Sequence, residues 1–224
     1  MRTTLPIYDT PELFAEWEKA LAVLERIGEL GVVRAMGVAT RRMIFQVLRA
    51  MEAKDVLDIG TCFGTSACTM ALAGCSVVTV DIRPINGADG QWRRFGRPRD
   101  ARTLWTNAGV VDRIEVVRAH SHEYLAETDQ TFDFISLDGN HGERHVYDEI
   151  NLALARLRPQ GLIFMDDVQT GTLPAGCTPI HGPKLAIERH LAEGAPFRCI
   201  PFTQSMYGDP TGVAFLVGIE NGPN

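Results

Sequence analysis

Asp55-Val-Leu-Asp58-Ile-Gly60-Thr-Cys-Phe-Gly64-Thr-Ser66 is the stretch on which the fold turns. Residues 55–59 are a short apolar run of strand length. Two glycines follow, and residues 65–73 then read as a helix. Gly60 and Gly64 let the chain turn sharply and let a ligand approach the backbone. The first turn of the helix behind them offers unpaired N–H groups. A strand, a glycine turn and a helix in that order begin a βαβ unit.

Outward from this stretch the same alternation continues. Strands are expected at residues 76–80, 114–117, 132–137 and 161–165, with helices near 100–108, 123 and 143–157 between them. In the helix at 143–157, Val146, Ile150, Leu154 and Leu157 fall in register. A further helix covers 184–191. The chain ends in two strands, 197–202 and 213–219, joined by a turn at Tyr207-Gly-Asp-Pro210. Such alternation gives an α/β fold with a mostly parallel sheet and helices on both faces. The final two strands lack a helix between them and should pair antiparallel. Two helices precede the first strand. One starts at Thr10-Pro11, an N-cap followed by proline at the first helical position, and carries Leu13, Phe14, Trp17, Leu21, Leu24 and Ile27. It stops near Gly28 to Gly31, and the other covers 40–52. Residues 1–39 are therefore expected to form an N-terminal cap or interface segment and residues 40–224 the ligand-binding domain. The apolar face of these helices suits a homodimer or simple core packing equally.

In sheets of this kind ligands lie beyond the carboxyl ends of the strands, where strand order reverses. The residues found there are chemically specific. A dinucleotide fingerprint would read G-x-G-x-x-G, but Cys62 stands at its middle glycine and Thr65 at its last. Asp58 adds a carboxylate, which favours a cationic sulfonium over a pyrophosphate. The order D-x-G-x-x-x-G, with Ser66 opening the helix, thus points to S-adenosylmethionine rather than NAD. Asp81 ends the second strand, where an acidic residue can accept from both ribose hydroxyls. After the third strand, Ala119-His120-Ser121-His122 is placed for adenine: Ser121 for an edge nitrogen, His120 and His122 for the flanks of the ring.

The fourth strand ends in Leu137-Asp138-Gly-Asn140-His141 and the fifth in Met165-Asp166-Asp167-Val168. Neighbouring strands would bring Asp138, Asp166 and Asp167 together. Carboxylates that close repel and raise each other's pKa, and a divalent cation relieves this. Oxygen ligands favour Mg²⁺, Ca²⁺ or Mn²⁺ over softer metals, and Mg²⁺ retains waters that substrate oxygens can replace. Such a metal would act as a Lewis acid on an acceptor hydroxyl. His141 is the expected base, Asn140 would position the acceptor or complete the metal shell, and Asp138 serves cofactor and metal together.

The remaining composition narrows the partners. The net charge of -6 argues against nucleic acid. Arg93, Arg94, Arg97, Arg99 and Arg102 cluster within ten residues, read either as a solvated loop running into a helix or as a lid that meets an acidic substrate or a partner subunit. The five cysteines (Cys62, Cys68, Cys75, Cys177 and Cys199) form no CxxC pair, so neither a disulfide framework nor a zinc site is expected. No apolar run reaches the length of a membrane span and the N-terminus lacks a signal-peptide core, so a cytoplasmic protein is expected.

Taken together, Asp58 to Ser66, Asp81, Ser121, Leu137-Asp138 and Asp166-Asp167 resemble the class I methyltransferases. Within that class, residues 132–141 and 161–168 look most like the group of catechol, caffeoyl-CoA and antibiotic-sugar O-methyltransferases. The resemblance covers about residues 40–219. It implies a Rossmann-like three-layer fold with a seven-stranded sheet and a reversed last strand, S-adenosylmethionine as donor, and often Mg²⁺. It carries the metal carboxylates onto Asp138, Asp166 and Asp167. The lysine base of the catechol enzyme falls on His141, and the candidate aspartate base of the sugar enzymes falls on Asn140. The expected activity is O-methylation of a small hydroxylated metabolite, in secondary metabolism. The alternatives are a metal-free N-methyltransferase, an NAD-dependent oxidoreductase, and an inactive cofactor-binding scaffold.

Overall fold

In the computed structural model, residues 10–26, 36–85, 100–168, 181–202 and 212–218 are described. The opening stretch forms β1 (Asp55–Ile59), the glycine turn and α3 (Thr65–Leu72). Before it come α1 (Pro11–Arg26) and α2 (Val38–Ala50). After it follow β2 (Ser76–Asp81), α4 (Ala101–Ala108), a 3₁₀ turn (Val111–Arg113), β3 (Ile114–Arg118) and α5 (Ser121–Glu127). Then come β4 (Phe132–Leu137), α6 (Glu143–Leu154), β5 (Leu157–Met165), α7 (Gly182–Ala192), β6 (Phe197–Phe202) and β7 (Val213–Gly218). The strands make one seven-stranded sheet in the order β3-β2-β1-β4-β5-β7-β6. β2 and β3 are parallel, as are β4 and β5, while β7 runs antiparallel to both β5 and β6. This is the Rossmann-like arrangement with helices on both sides of the sheet.

The chain divides into two compact units, residues 1–56 with 61–118 and residues 57–60 with 119–224. In the first, Trp17 of α1 meets the Phe45 ring of α2 edge-on at 5.6 Å. Trp17, Ala20 and Leu24 are buried here, so much of the apolar stripe of α1 is used in packing, while Phe14 stays exposed. Trp105 of α4 is completely buried and donates its indole N–H to the carbonyl of Gly64 at 2.8 Å. In the second unit, Phe134, Phe164 and Phe215 on β4, β5 and β7 form an aromatic cluster with ring separations of 5.5–6.4 Å.

Two boundaries differ from the sequence reading. α6 stops at Leu154, because Leu157 leaves the helix to pair with Phe132 on β4. β5 accordingly starts before residue 161. Its first pair is Phe132 with Leu157 and its next is Phe134 with Leu162, so residues 158–161 bulge out of the ladder. Pro159 is tolerated at such a bulge. α7 begins at Gly182, ahead of residue 184, and takes Pro183 into its first turn, where a missing N–H costs nothing. The glycine-rich loop at 87–96 with Arg93, Arg94, Arg97 and Arg99, Gly28 to Gly31, the 170–180 part of the Gly/Pro-rich loop and the turn at 207–210 lie outside the described residues. Arg102 is exposed on α4.

The Trp105–Gly64 bond gives a direct test. Trp105→Phe leaves a buried carbonyl without its donor and opens a small cavity. It should destabilise the fold by about 2–4 kcal/mol in chemical denaturation. A loss below about 0.5 kcal/mol would mean that the indole does not fasten the glycine turn.

Candidate active site

Both glycines of the β1 turn are required by the protein itself. Gly60 has φ of 101°, and a Cβ there would stand 2.2 Å from the carbonyl oxygen of Asp138. Gly64 has φ of 74°, and its Cβ would press within 2.9 Å of Trp105 and Ala101. Between them Cys62 adopts a positive φ of 45°. Its N–H is not turned outward for a pyrophosphate. It donates to Asp81 Oδ2 at 3.0 Å, while Asp81 Oδ1 accepts the N–H of Arg83 at 2.9 Å. Asp81 is thereby held at the end of β2 with lone pairs to spare, since a carboxylate accepts about four bonds. Ser66 is buried in the first turn of α3. Asp58 is wholly buried near the end of β1.

The segment after β3 opens α5. Ser121 and His122 are the first residues of α5, and both turn towards α6. Ser121 Oγ lies 3.3 Å from His145 Nε2. His122 donates from Nε2 to the carbonyl of His145 at 3.0 Å, and its ring stacks on that of His145 at 4.0 Å. His120 is exposed, with its ring 5.3 Å from His122 and 5.1 Å from His145. The sequence reading left out His145. Its signal in the sequence is the spacing of four residues to Glu149, which places both on one face of the helix.

At the ends of β4 and β5 the backbone does the positioning. The N–H of Asp138 donates to the carbonyl of Ile59 at 3.0 Å, and the N–H of Asp166 to the carbonyl of Leu137 at 3.3 Å. Side-chain atoms of Asp138, His141 and Asp167 come within 4.8 Å of one another. His141 Nε2 is 2.6 Å from Asp167 Oδ2 and 3.8 Å from Asp138 Oδ1. Asp166 lies outside that group of three; its Oδ1 accepts the N–H of Asp167 at 2.9 Å. Asp167 itself has φ of 54°, a region that aspartate enters more readily than most residues. Asn140 Oδ1 accepts the N–H of Gly142 at 2.8 Å, closing the turn that leads into α6. Gly182, at the start of α7, was not singled out from the sequence. A Cβ there would stand 1.9 Å from the carbonyl oxygen of His141, so α7 begins directly against the backbone of this cluster.

The chemistry of the cluster follows from its charges. The carboxylates of Asp138 and Asp167 stabilise the charged ring and push the His141 pKa from 6.5 to about 10. A protonated imidazole therefore stands where two carboxylates meet, in the position of a cation. Two carboxylates and one imidazole are also a donor set for a divalent ion. Strand-end carboxylates and a D-x-G-x-x-x-G turn are the two features on which the sequence resembles the class I methyltransferases.

Comparisons with known proteins agree. The family described as "Methyltransferase domain" matches residues 57–168, half of the chain, and the chain belongs to it. It is a class I methyltransferase that depends on S-adenosylmethionine. That finding sets aside the oxidoreductase reading. No curated protein matches the sequence. Among solved structures, the chain is similar to the O-methyltransferase TomG from Streptomyces achromogenes, involved in tomaymycin synthesis and in complex with SAM. The two are 18% identical over 91% of this chain and 89% of that one, with a TM-score of 0.62. It is similar to an O-methyltransferase from Bacillus cereus in complex with SAH, 19% identical over 94% and 91%, TM-score 0.60. It is also similar to the SAH-bound methyltransferase PaMTH1 from Podospora anserina, 18% identical over 94% and 89%, TM-score 0.62. At these identities the likeness establishes a shared fold.

His141 should leave a signature in stability. Its pKa is higher in the folded state than in the unfolded chain, so folding takes up a proton there. The contribution is complete below the unfolded value and fades as pH rises through the folded one. With chelator present, the Tm difference between the wild type and His141→Gln should be widest near pH 6 and should shrink by about pH 10. A difference that stays constant across that range would show that the ring is not held charged by its two aspartates.

Proposed function

We propose that the chain transfers the methyl group of S-adenosylmethionine to a hydroxyl oxygen of a small metabolite, with a Mg²⁺-class cation at the β4–β5 end. The observation that carries this reading is the convergence of Asp138, His141 and Asp167. Asp138 and Asp167 would hold the ion, with Asp166 beside them on the same loop. Asp58, Gly60, Gly64, Ser66, Asp81, His120 and Asp138 would serve the donor, while Ser121 and His122 are engaged with His145 on α6. In this reading residues 1–39 cap the domain formed by residues 40–224. TomG, named for its part in tomaymycin synthesis, is a precedent for an acceptor from secondary metabolism.

The residues present fit a divalent ion, because the pair of carboxylates already faces a positive group. A bound cation supplies Lewis acidity at the acceptor oxygen. With their charge satisfied, Asp138 and Asp167 no longer hold the His141 proton. The neutral ring is then the nearest group able to accept the hydroxyl proton as the oxygen bonds to the methyl carbon and the carbon–sulfur bond breaks. Asn140 keeps the turn rigid, which favours the orientation that a displacement requires.

The test uses chelator-treated protein. S-adenosylhomocysteine at 100 times its dissociation constant should stabilise the fold by about 2.7 kcal/mol, and NAD should have no effect. Methyl transfer from labelled S-adenosylmethionine to a panel of hydroxylated acceptors should require MgCl₂. Asp167→Asn tolerates the same backbone conformation and should keep the S-adenosylhomocysteine shift. It should lose about 100-fold or more in turnover, as should His141→Gln. Turnover that survives both EDTA and Asp167→Asn would remove the metal from the reading. Transfer to amines in preference to hydroxyls would replace oxygen as the acceptor.

A further inference from the structure

The second unit contains another ligating cluster, assembled from α5 and α6. His145 and Glu149 are one turn apart on α6 and project from the same face. His145 Nε2 lies 3.4 Å from Glu149 Oε1. His122 arrives from α5 and stacks against His145 with ring planes 17° apart. One nitrogen of each ring and one carboxylate oxygen of Glu149 lie within 4.8 Å of one another. Three of the six histidines in the sequence, His120 included, gather at this point.

Glu149 makes the cluster unusual. It is 1% exposed, and its Oε1 accepts no hydrogen bond. A carboxylate buried in this state is expensive unless a positive partner or a metal accompanies it. A histidine nitrogen at 3.4 Å is too distant for a strong hydrogen bond. That separation has a different meaning around a metal. Bonds of about 2.0–2.1 Å in a tetrahedral zinc site place neighbouring ligand atoms about 3.3 Å apart. His122 also has the habit of a metal ligand. Its Nε2–H is donated to the carbonyl of His145, and imidazoles that bind metals commonly donate their second N–H to a carbonyl in this way. Two imidazoles and one carboxylate favour zinc-class ions over Mg²⁺. The sequence reading expected no zinc site because no CxxC pair is present; this cluster needs no thiolate.

We propose that His122, His145 and Glu149 bind a divalent transition-metal ion of the zinc class, and that this ion fastens α5 to α6. The site is distinct from the carboxylate cluster of Asp138 and Asp167, and it does not depend on the proposed methyl acceptor. Ser121 Oγ, 3.3 Å from His145 Nε2, is close enough to hydrogen-bond a water in the fourth position.

The experiment starts from the full chain stripped with chelator and kept in excess Mg²⁺, added to compete with zinc at the carboxylate cluster. Zn²⁺ is then added, the protein is desalted, and bound metal is counted by mass spectrometry; Co²⁺ serves as the optical probe. The wild type and Asp167→Asn should each retain one equivalent and show a d–d absorption band. Glu149→Gln and His145→Gln should lose both, with affinity reduced by about 100-fold or more. Zinc should raise the Tm of the wild type and leave that of His145→Gln unchanged. A readout free of variants is the imidazole ¹⁵N spectrum of the wild type, in which zinc should shift His122 and His145. The proposal is overturned if the wild type retains no metal, if both α6 variants retain it, or if Asp167→Asn alone loses it. A zinc-induced shift of His141 in place of His122 and His145 would overturn it as well.

Discussion

The contact on which the second unit depends is the approach of Gly60 to the carbonyl of Asp138. Any side chain at position 60 would place its Cβ 2.2 Å from that oxygen. The glycine lets two backbone bonds form in series, Asp138 N–H to Ile59 and Asp166 N–H to Leu137. The ends of β1, β4 and β5 are thereby tied together without help from side chains. Asp138 and Asp166 take their places through main-chain hydrogen bonds, so the chemistry carried at the strand ends can vary without loosening the scaffold. Gly182 extends the same principle to α7, which begins against the carbonyl of His141.

Bringing carboxylates to one edge creates a charge problem, and the fold answers it locally. His141 stands between Asp138 and Asp167 and is held protonated by them. The arrangement requires Asp167 to adopt a left-handed backbone conformation, which costs about 1–2 kcal/mol for an L-residue. Cys62, in the loop after β1, carries a similar conformation. Both departures fall in loops that follow sheet strands, where functional groups are expected in this architecture. Strained backbone persists only where the surroundings enforce it. For Cys62 the enforcing partner is visible, because its N–H is fixed by Asp81.

The legible part of the molecule was the part governed by period and punctuation. Seven strands, their alternation with helices, the closing hairpin and the carboxylates at strand ends were all readable from apolar runs and their flanking residues. The direction in which adjacent side chains point was not. Asp166 and Asp167 looked equivalent, but the backbone leaves β5 after Met165 and turns left-handed at Asp167, which joins Asp138 and His141 in one group of three. Ser121 and His122 were read as reaching adenine ahead of a short helix; that helix begins at Ser121, and both side chains engage His145 of α6. Gly60 and Gly64 were read as ligand-facing, although Asp138 and Trp105 alone are enough to require them. Each of these features depends on a tertiary partner far away in sequence, which local pattern cannot supply.

The two histidine–carboxylate clusters in this unit use one device with opposite exposure. Each sets a histidine three or four residues along the chain from an acid, His141 after Asp138 and Glu149 after His145. In the first, the side chains remain 17–40% exposed, so an ion bound there would keep positions open to water and substrate. In the second, Glu149 is 1% exposed and both histidines are partly covered. Solvent access separates the two: the first cluster is open to substrate oxygens, and the second is closed off from bulk water, although three protein ligands would leave it a fourth position for a single water. The donor atoms divide the same way, since the open cluster is richer in carboxylate and the closed one in imidazole, matching hard and borderline cations respectively. A closed site joining α5 to α6 would brace the helix that follows His141, so its effect on the reacting end would be one of support through the main chain.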